Sequence, residues 1–333
     1  MTTGSMLEVP PAGRSARFAP GFGRRVLLTV DTEEEFDWRA PFRRDGYGLS
    51  HLAALPRFQA FCETIGAHPV YLVDWPVVNE PRAVAIIGDA VRRGVADVGV
   101  QLHPWVNPPF EEEVSERNSF AGNLPPAQEA AKFTMLRDAI ETAFGTAPLI
   151  YRAGRYGLGP HTADLLKQAG IRIDTSVRPL FDYSPQGGPD YSNHPLAPYW
   201  ADPEGALLEL PVSSTYAGLL SPVGPLIHRV QRHLPTVYSG FSRAGLLERI
   251  ALTPEGVSRD EALRGIDILL RSDLPLLVLS FHSPTLAPGH TPYTKTEADV
   301  EALYGWFAAV YAHLAARGIS SCTVAEIIAA TTR

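Results

Sequence analysis

Eight polar side chains in this chain fall at or just beyond the ends of short apolar runs. They are Asp31 and Glu33 after RVLLTV, Asp74 after VYLV, His103 and Asn107 after VGVQL, Arg152 closing LIYR, Asp174 within IRIDTSV, and His282 after VLSF. Carboxylates, imidazoles and a guanidinium are the groups that move protons or hold a divalent cation. Asp31 and Glu33, at i and i+2, project to the same side of an extended segment. Two carboxylates so close favour a cation or a shared proton. Glu34, Glu35 and Asp37 follow at once, so a solvated acidic loop is the competing reading. His103 and Asn107 have an H-x-x-x-N spacing that can place two ligands around one ion, on a segment that Pro104, Pro108 and Pro109 make a rigid turn rather than a helix. Taken singly, an Asp is more often a helix cap and a His a hydrogen-bonded structural residue. Their common position after the runs is what argues for a site.

The elements that must position them are seven strand-length runs: RVLLTV, HPVYLV, VADVGVQL, APLIYR, IRIDTSV, LLELPVSS and LPLLVLSF. Helix-like segments lie between them at 52–65, 82–93, 127–144, 162–169, 259–270 and 297–316. The βαβα alternation, with strands of nearly continuous apolar character, predicts an α/β protein: a distorted (β/α) barrel with about seven parallel strands. In such barrels the loops at the C-terminal strand ends build the active site. Residues 1–24, rich in Pro, Gly and Arg, read as a flexible arm or a strap across the surface, and 25–333 as a single barrel domain. An irregular insertion at about 178–240, with a short helical piece near 226–233, reads either as a functional cap or as a surface loop.

Of the 333 residues, 45% are hydrophobic and 20% charged, a profile that supports a sizeable core. A net charge of -7 spread over both halves argues against nucleic acid, which needs a concentrated basic surface. No apolar run reaches the ~18 residues of a membrane span, and the first residues, MTTGSMLEVPPAGRSARF, contain no apolar signal region, so a cytoplasmic location is expected. Cys62 and Cys322 are the only cysteines and form no C-x-x-C pair, which excludes a disulfide framework and a thiolate zinc site.

From about Arg25 to the end, these segments in this order resemble the polysaccharide deacetylase (NodB-homology) family. TVDTEEEFDW resembles the family's first motif, with Asp31 as general base; Thr32 stands where a second Asp is usual, and the carboxylate comes one residue later as Glu33. QLHPWVNPPF is similar to the second motif, with His103 at its first ligand and Asn107 where the second His should be. YRAGRYG resembles the third motif, whose Arg, here Arg152, pairs with the catalytic Asp. IDTSVRP is similar to the fourth, carrying Asp174, and VLSFHS to the fifth, with His282 as general acid. The resemblance implies a metal-dependent hydrolase that removes an acyl group from the nitrogen of a sugar. A divalent ion, zinc in view of the His ligand, would be held by Glu33, His103 and Asn107. Asp174 would orient His282 or Arg152, with a helix cap as the alternative. For a carbohydrate substrate, Trp105, Trp38 and Trp75 are the candidate platforms and Asp74 a hydroxyl ligand or turn former. The rival readings are a glycan-binding barrel without catalysis, and a hydrolase of a small non-sugar amide or a formylated aminosugar.

Overall fold

The computed structural model describes residues 5–37, 40–220 and 247–333. Seven parallel strands form the frame: β1 Arg25–Thr32, β2 Pro69–Val73, β3 Asp97–Leu102, β4 Ile150–Ala153, β5 Ile173–Asp174, β6 Leu208–Glu209 and β7 Leu276–His282. Their order across the sheet is β7-β1-β2-β3-β4-β5-β6, with Tyr199–Trp200 added antiparallel to β6. These are the seven runs read from the sequence. The two ends of the curled sheet meet through single residues rather than a full ladder. Val278 N donates to Ser213 Oγ at 2.9 Å and Ser213 N to Val278 O at 3.1 Å, while Ser280 N reaches Leu252 O at 3.2 Å. That incomplete closure is what distorts the barrel.

The pleat decides which residues face inward. Leu27, Val70, Leu72, Ile150, Ile173, Leu208 and Val278 form one buried cluster inside the curl, whereas Leu28, Val30, Tyr71, Val73, Val100 and Tyr151 join the larger cluster under the helices. Each fully buried aliphatic side chain contributes roughly 1.5–3 kcal/mol. The interior is tight enough to require glycine at one position: a Cβ on Gly99 would lie 2.6 Å from Ile150 Cγ2 and 2.7 Å from Leu72 Cδ2. The covering helices include α1 Leu55–Ile65, α2 Pro81–Arg92, α3 Pro126–Phe144, α4 Arg259–Arg271 and α5 Glu297–Ala315.

The segment before the barrel is in contact with it. Arg17–Phe18 pairs antiparallel with Thr331–Thr332, and Met6 and Phe22 are buried. Strand β6 runs through the 178–240 segment, so part of what reads as an insertion is barrel wall. The helical piece near 226–233 lies outside the described residues.

Candidate active site

A cleft of about 410 Å³ opens at the C-terminal strand ends, and Asp31, Glu33, His103, Arg152 and His282 all line it. The register explains the convergence. Asp31 on β1 pairs with His282 on β7, and Gln101 on β3 with Arg152 on β4, so these residues continue the inward-facing rows above Leu27, Val278, Gly99 and Ile150.

Arg152 is a buried guanidinium with every edge engaged. Nη1 donates to Asp31 Oδ1 and, at 2.7 Å, to Ser280 Oγ; Nη2 donates to Thr29 Oγ1 at 2.9 Å; Nε donates to Thr175 O at 2.9 Å. Partners on β1, on β7 and just past the end of β5 therefore fix it, and it in turn fixes the Asp31 carboxylate. Across the cleft floor, His282 Nε2 lies 3.7 Å from Asp31 Oδ2, while His282 Nδ1 lies 2.7 Å from Glu255 Oε2. Glu255 also accepts from the His282 backbone N–H at 3.1 Å and from Thr285 Oγ1 at 2.5 Å. Burial works against the imidazolium, but the negative charges of Glu255, Glu33 and Asp31 outweigh it and push His282 up to about 10. Burial likewise works against the Glu255 carboxylate, yet His282 and these hydrogen bonds hold it below its ordinary range. At neutral pH the floor thus holds a carboxylate and an imidazolium side by side.

His103 faces two ways. Its Nε2 lies 3.4 Å from Glu33 Oε2, and Gln101 Nε2 donates to that same carboxylate oxygen at 3.1 Å. Glu33 Oε1 is buried without a hydrogen-bond partner among the described residues. Burial raises Glu33 to about 8, against the lowering effect of His282 and His103. On the other side, His103 Nδ1 donates to Glu34 Oε2 at 2.9 Å, Trp105 Nε1 to Glu34 Oε1 at 2.6 Å, and Glu34 N to Asp74 Oδ2 at 2.9 Å. Glu34, Asp74 and His103 bring ligand atoms within 4.8 Å of one another, a group able to hold a metal ion. Burial, then the charge of Glu34, drives Asp74 well above the ordinary carboxylate range.

Other residues marked in the sequence lie elsewhere, for identifiable reasons. Asn107 does not reach the cleft: its Nδ2 donates to Pro108 O at 2.6 Å and Lys132 O at 2.9 Å. It ties the Pro-rich turn to α3, a turn that Lys132 Nζ further holds through Pro104 O, Asn107 O and Pro109 O. Asp174 does not touch His282 or Arg152. Ile173 faces inward, so the next side chain on the strand must face outward, where Asp174 accepts from Ser176 N and Oγ and sits beside Glu209. Thr175, one residue on, contacts Arg152 instead. Asp74 lies behind His103 and caps the one-turn helix Trp75–Val78 through Val77 N at 2.9 Å; Trp75, at the start of that turn, packs against the core rather than lining the cleft. Trp105 lines the cleft but stacks on His103 with ring centroids 4.3 Å apart and is only 3% exposed. Trp38 lies outside the described residues.

Three residues that the sequence reading passed over belong to the site: Gln101, Glu34 and Glu255. Glu255 had a legible signal. It follows ERIALTP, whose first part is the strand Glu248–Ala251 and whose centre, IAL, is apolar, so it too is a carboxylate a few residues beyond a strand end.

No protein-family profile and no curated protein matches the chain. Solved structures do. PuuE allantoinase superposes with a TM-score of 0.50 at 14% identity, covering 93% of this chain and 91% of that one. A GH57-type branching enzyme from Pyrococcus horikoshii gives 0.51 at 11% identity, over 92% of this chain and 70% of that one. The fold is a distorted (β/α) barrel. A protein from Mycobacterium smegmatis described as a polysaccharide deacetylase is 19% identical, with a TM-score of 0.49 over 95% of this chain and 98% of that one. Among the described residues no helix is long and apolar enough to cross a membrane.

Proposed function

We propose that this barrel is a metal-dependent hydrolase that removes an acyl group from the nitrogen of an N-acylated sugar. One observation carries the reading: Asp31 and the imidazolium of His282 stand 3.7 Å apart on paired strands, each held by its own partner, Arg152 or Glu255. Amide hydrolysis needs a base for water and an acid for the departing amine, and these are the two roles such a pair can fill. Asp31, oriented by Arg152, takes the proton of the attacking water. His282, protonated at neutral pH, gives its proton to the amine nitrogen as the C–N bond breaks. The rings of Phe36, Phe42, Tyr156 and Tyr183 around the cleft suit the apolar faces of a sugar.

The donor set for a divalent ion is Glu33 with His103. The partnerless buried Oε1 of Glu33 and the Nε2 edge of His103 suit such an ion, and carboxylate with imidazole is a zinc-type pair. A bound zinc ion acidifies water and polarises an acyl carbonyl. The hydrogen bond from His103 Nδ1 to Glu34 fixes the tautomer that gives Nε2, 3.3 Å from Gln101 Nε2, the lone pair of a metal ligand, and Trp105 anchors Glu34 in turn. With Asn107 engaged in the turn, two protein ligands rather than three give weak metal retention.

Amine release from acetylated sugars in the presence of zinc tests the assignment. Asp31→Asn should fold, keep its metal affinity and lose about 10²- to 10⁴-fold in turnover. Undiminished turnover in that variant would overturn the role of Asp31 as base; no amine release from any acetylated sugar, with zinc affinity unchanged by both Glu33→Ala and His103→Ala, would overturn the reading in favour of a barrel that only binds glycans.

A further inference from the structure

The charges on the cleft wall do not balance. Asp31 is matched by Arg152, Glu255 by His282, and Glu33 lies between His282 and His103, but two more guanidiniums, Arg155 and Arg178, line the same cleft. Arg155 follows β4 with a left-handed backbone, φ 54°, a conformation costly for a residue with a side chain. It is paired with Glu116 at 3.5 Å, an exposed ion pair with the Glu116 side chain 60% exposed. Arg178 has none: among the described residues no carboxylate lies within ion-pair distance of it. Its guanidinium face lies 3.9 Å from the Phe181 ring centroid and 5.2 Å from that of Tyr156. Its single hydrogen bond among the described residues is from Nη1 to Tyr183 Oη at 3.3 Å, and its Nε is buried with no acceptor.

A guanidinium clamped by rings on its faces presents its N–H edge, the edge that takes carboxylates and phosphates in pairs. A half-buried guanidinium whose buried Nε donor is unmet is costly unless something supplies an acceptor. In a chain of net charge -7, a cleft wall that carries Arg178 and Arg155 beside its own ion pairs is locally enriched in cations, and such a wall selects and steers anions.

We infer that the substrate carries an anionic group, a carboxylate or a phosphate, that is received by the guanidinium of Arg178 on the cleft wall, with Arg155 adding to the field. The inference rests on the hydrolase reading only in taking this cleft as the substrate site. It narrows the substrate class to acidic N-acylated sugars, in contrast to the neutral sugars that aromatic walls alone would accept.

Titration calorimetry of the full chain with three probes tests it: N-acetylglucosamine, its 6-phosphate, and its 3-O-lactyl ether, which carries a carboxylate. At least one acidic probe should bind 10-fold or more tightly than the neutral one, and which of them does so distinguishes phosphate from carboxylate. In Arg178→Gln that preference should collapse to about one. In Arg178→Lys, which keeps the charge but loses the paired edge, the preference should fall at least 3-fold, and this variant decides the matter if the glutamine variant does not fold. Equal affinity for all three probes, or a preference that survives in the variants, overturns the inference. Amine release is read in parallel: preferential binding of an acidic probe without its hydrolysis would sink the hydrolase reading and leave this one standing.

Discussion

Two groups of buried acids lie at strand ends only a few residues apart in the sheet, and they behave in opposite ways. On the inner face Asp31 is met by Arg152, which is itself tied to Thr29, Ser280 and Thr175, with His282 close by. On the outer face Asp174 and Glu209 are register partners on β5 and β6, packed near Tyr151, Tyr191 and Tyr199, with no cation in hydrogen-bond contact. Burial pushes Asp174 up to about 7, against its hydrogen bonds from Ser176 and the charge of Arg152. Burial, with the charge of Asp174, drives Glu209 well above its ordinary range, and Glu209 Oε2 has no hydrogen-bond partner among the described residues. The inner acid is met by cations, and the outer pair is left to hold protons. A one-residue step along a strand separates the two outcomes, so a carboxylate after a β-run becomes chemistry only on the inward parity.

The comparison breaks most visibly at Arg152. Arg152→Met should leave Asp31 buried without its counter-charge and cost about 3–5 kcal/mol of folding stability, measured by urea unfolding at pH 7, in addition to abolishing turnover. A loss under 1 kcal/mol would mean that Asp31 does not depend on this partner.

Next in size is Glu255→Gln, which removes the charge that holds His282 protonated. An acid catalyst works while protonated, so its contribution disappears as pH rises through its pKa. With the His282 pKa falling from about 10 towards its ordinary value near 6.5, the alkaline limb of the rate profile should move to lower pH. The variant should be slower than wild type by on the order of 10- to 100-fold at pH 8.5 and much less affected at pH 6. A profile displaced downward without any shift of its limb would assign Glu255 a purely structural role.

The smallest effect lies on the outer face. Because the folded-state pKa of Glu209 is raised, the folded chain holds that proton more tightly than the unfolded chain does, and stability falls as pH rises from the unfolded value through the folded one. Glu209→Gln keeps an oxygen for the Val177 N–H, which Glu209 Oε1 accepts at 3.1 Å, and places an N–H₂ beside Asp174. It should raise Tm by a few degrees at pH 8 and by almost nothing at pH 4. Equal shifts at both pH values would show that packing, rather than protonation, sets the difference.

Local pattern was enough for the frame and for part of the floor. Continuous apolar runs bounded by turns mark seven strands, because strands covered on both faces must be apolar on both. The i, i+2 spacing of Asp31 and Glu33 puts both on one side, and both line the cleft. What the sequence could not determine depends on register and on contacts between distant segments. Whether Asp174 faces Arg152 depends on which of two neighbouring residues points inward, and Ile173 takes that place. Asn107 is held by the backbone of Lys132, 25 residues away on another element, and not by the spacing that pairs it with His103. Glu255 meets His282 across 27 residues of chain, and Glu34 meets His103 across 69. Such pairs form only once the strands are in register and the loops have packed, because a side chain's partner is fixed by three-dimensional neighbours that no one-dimensional spacing encodes.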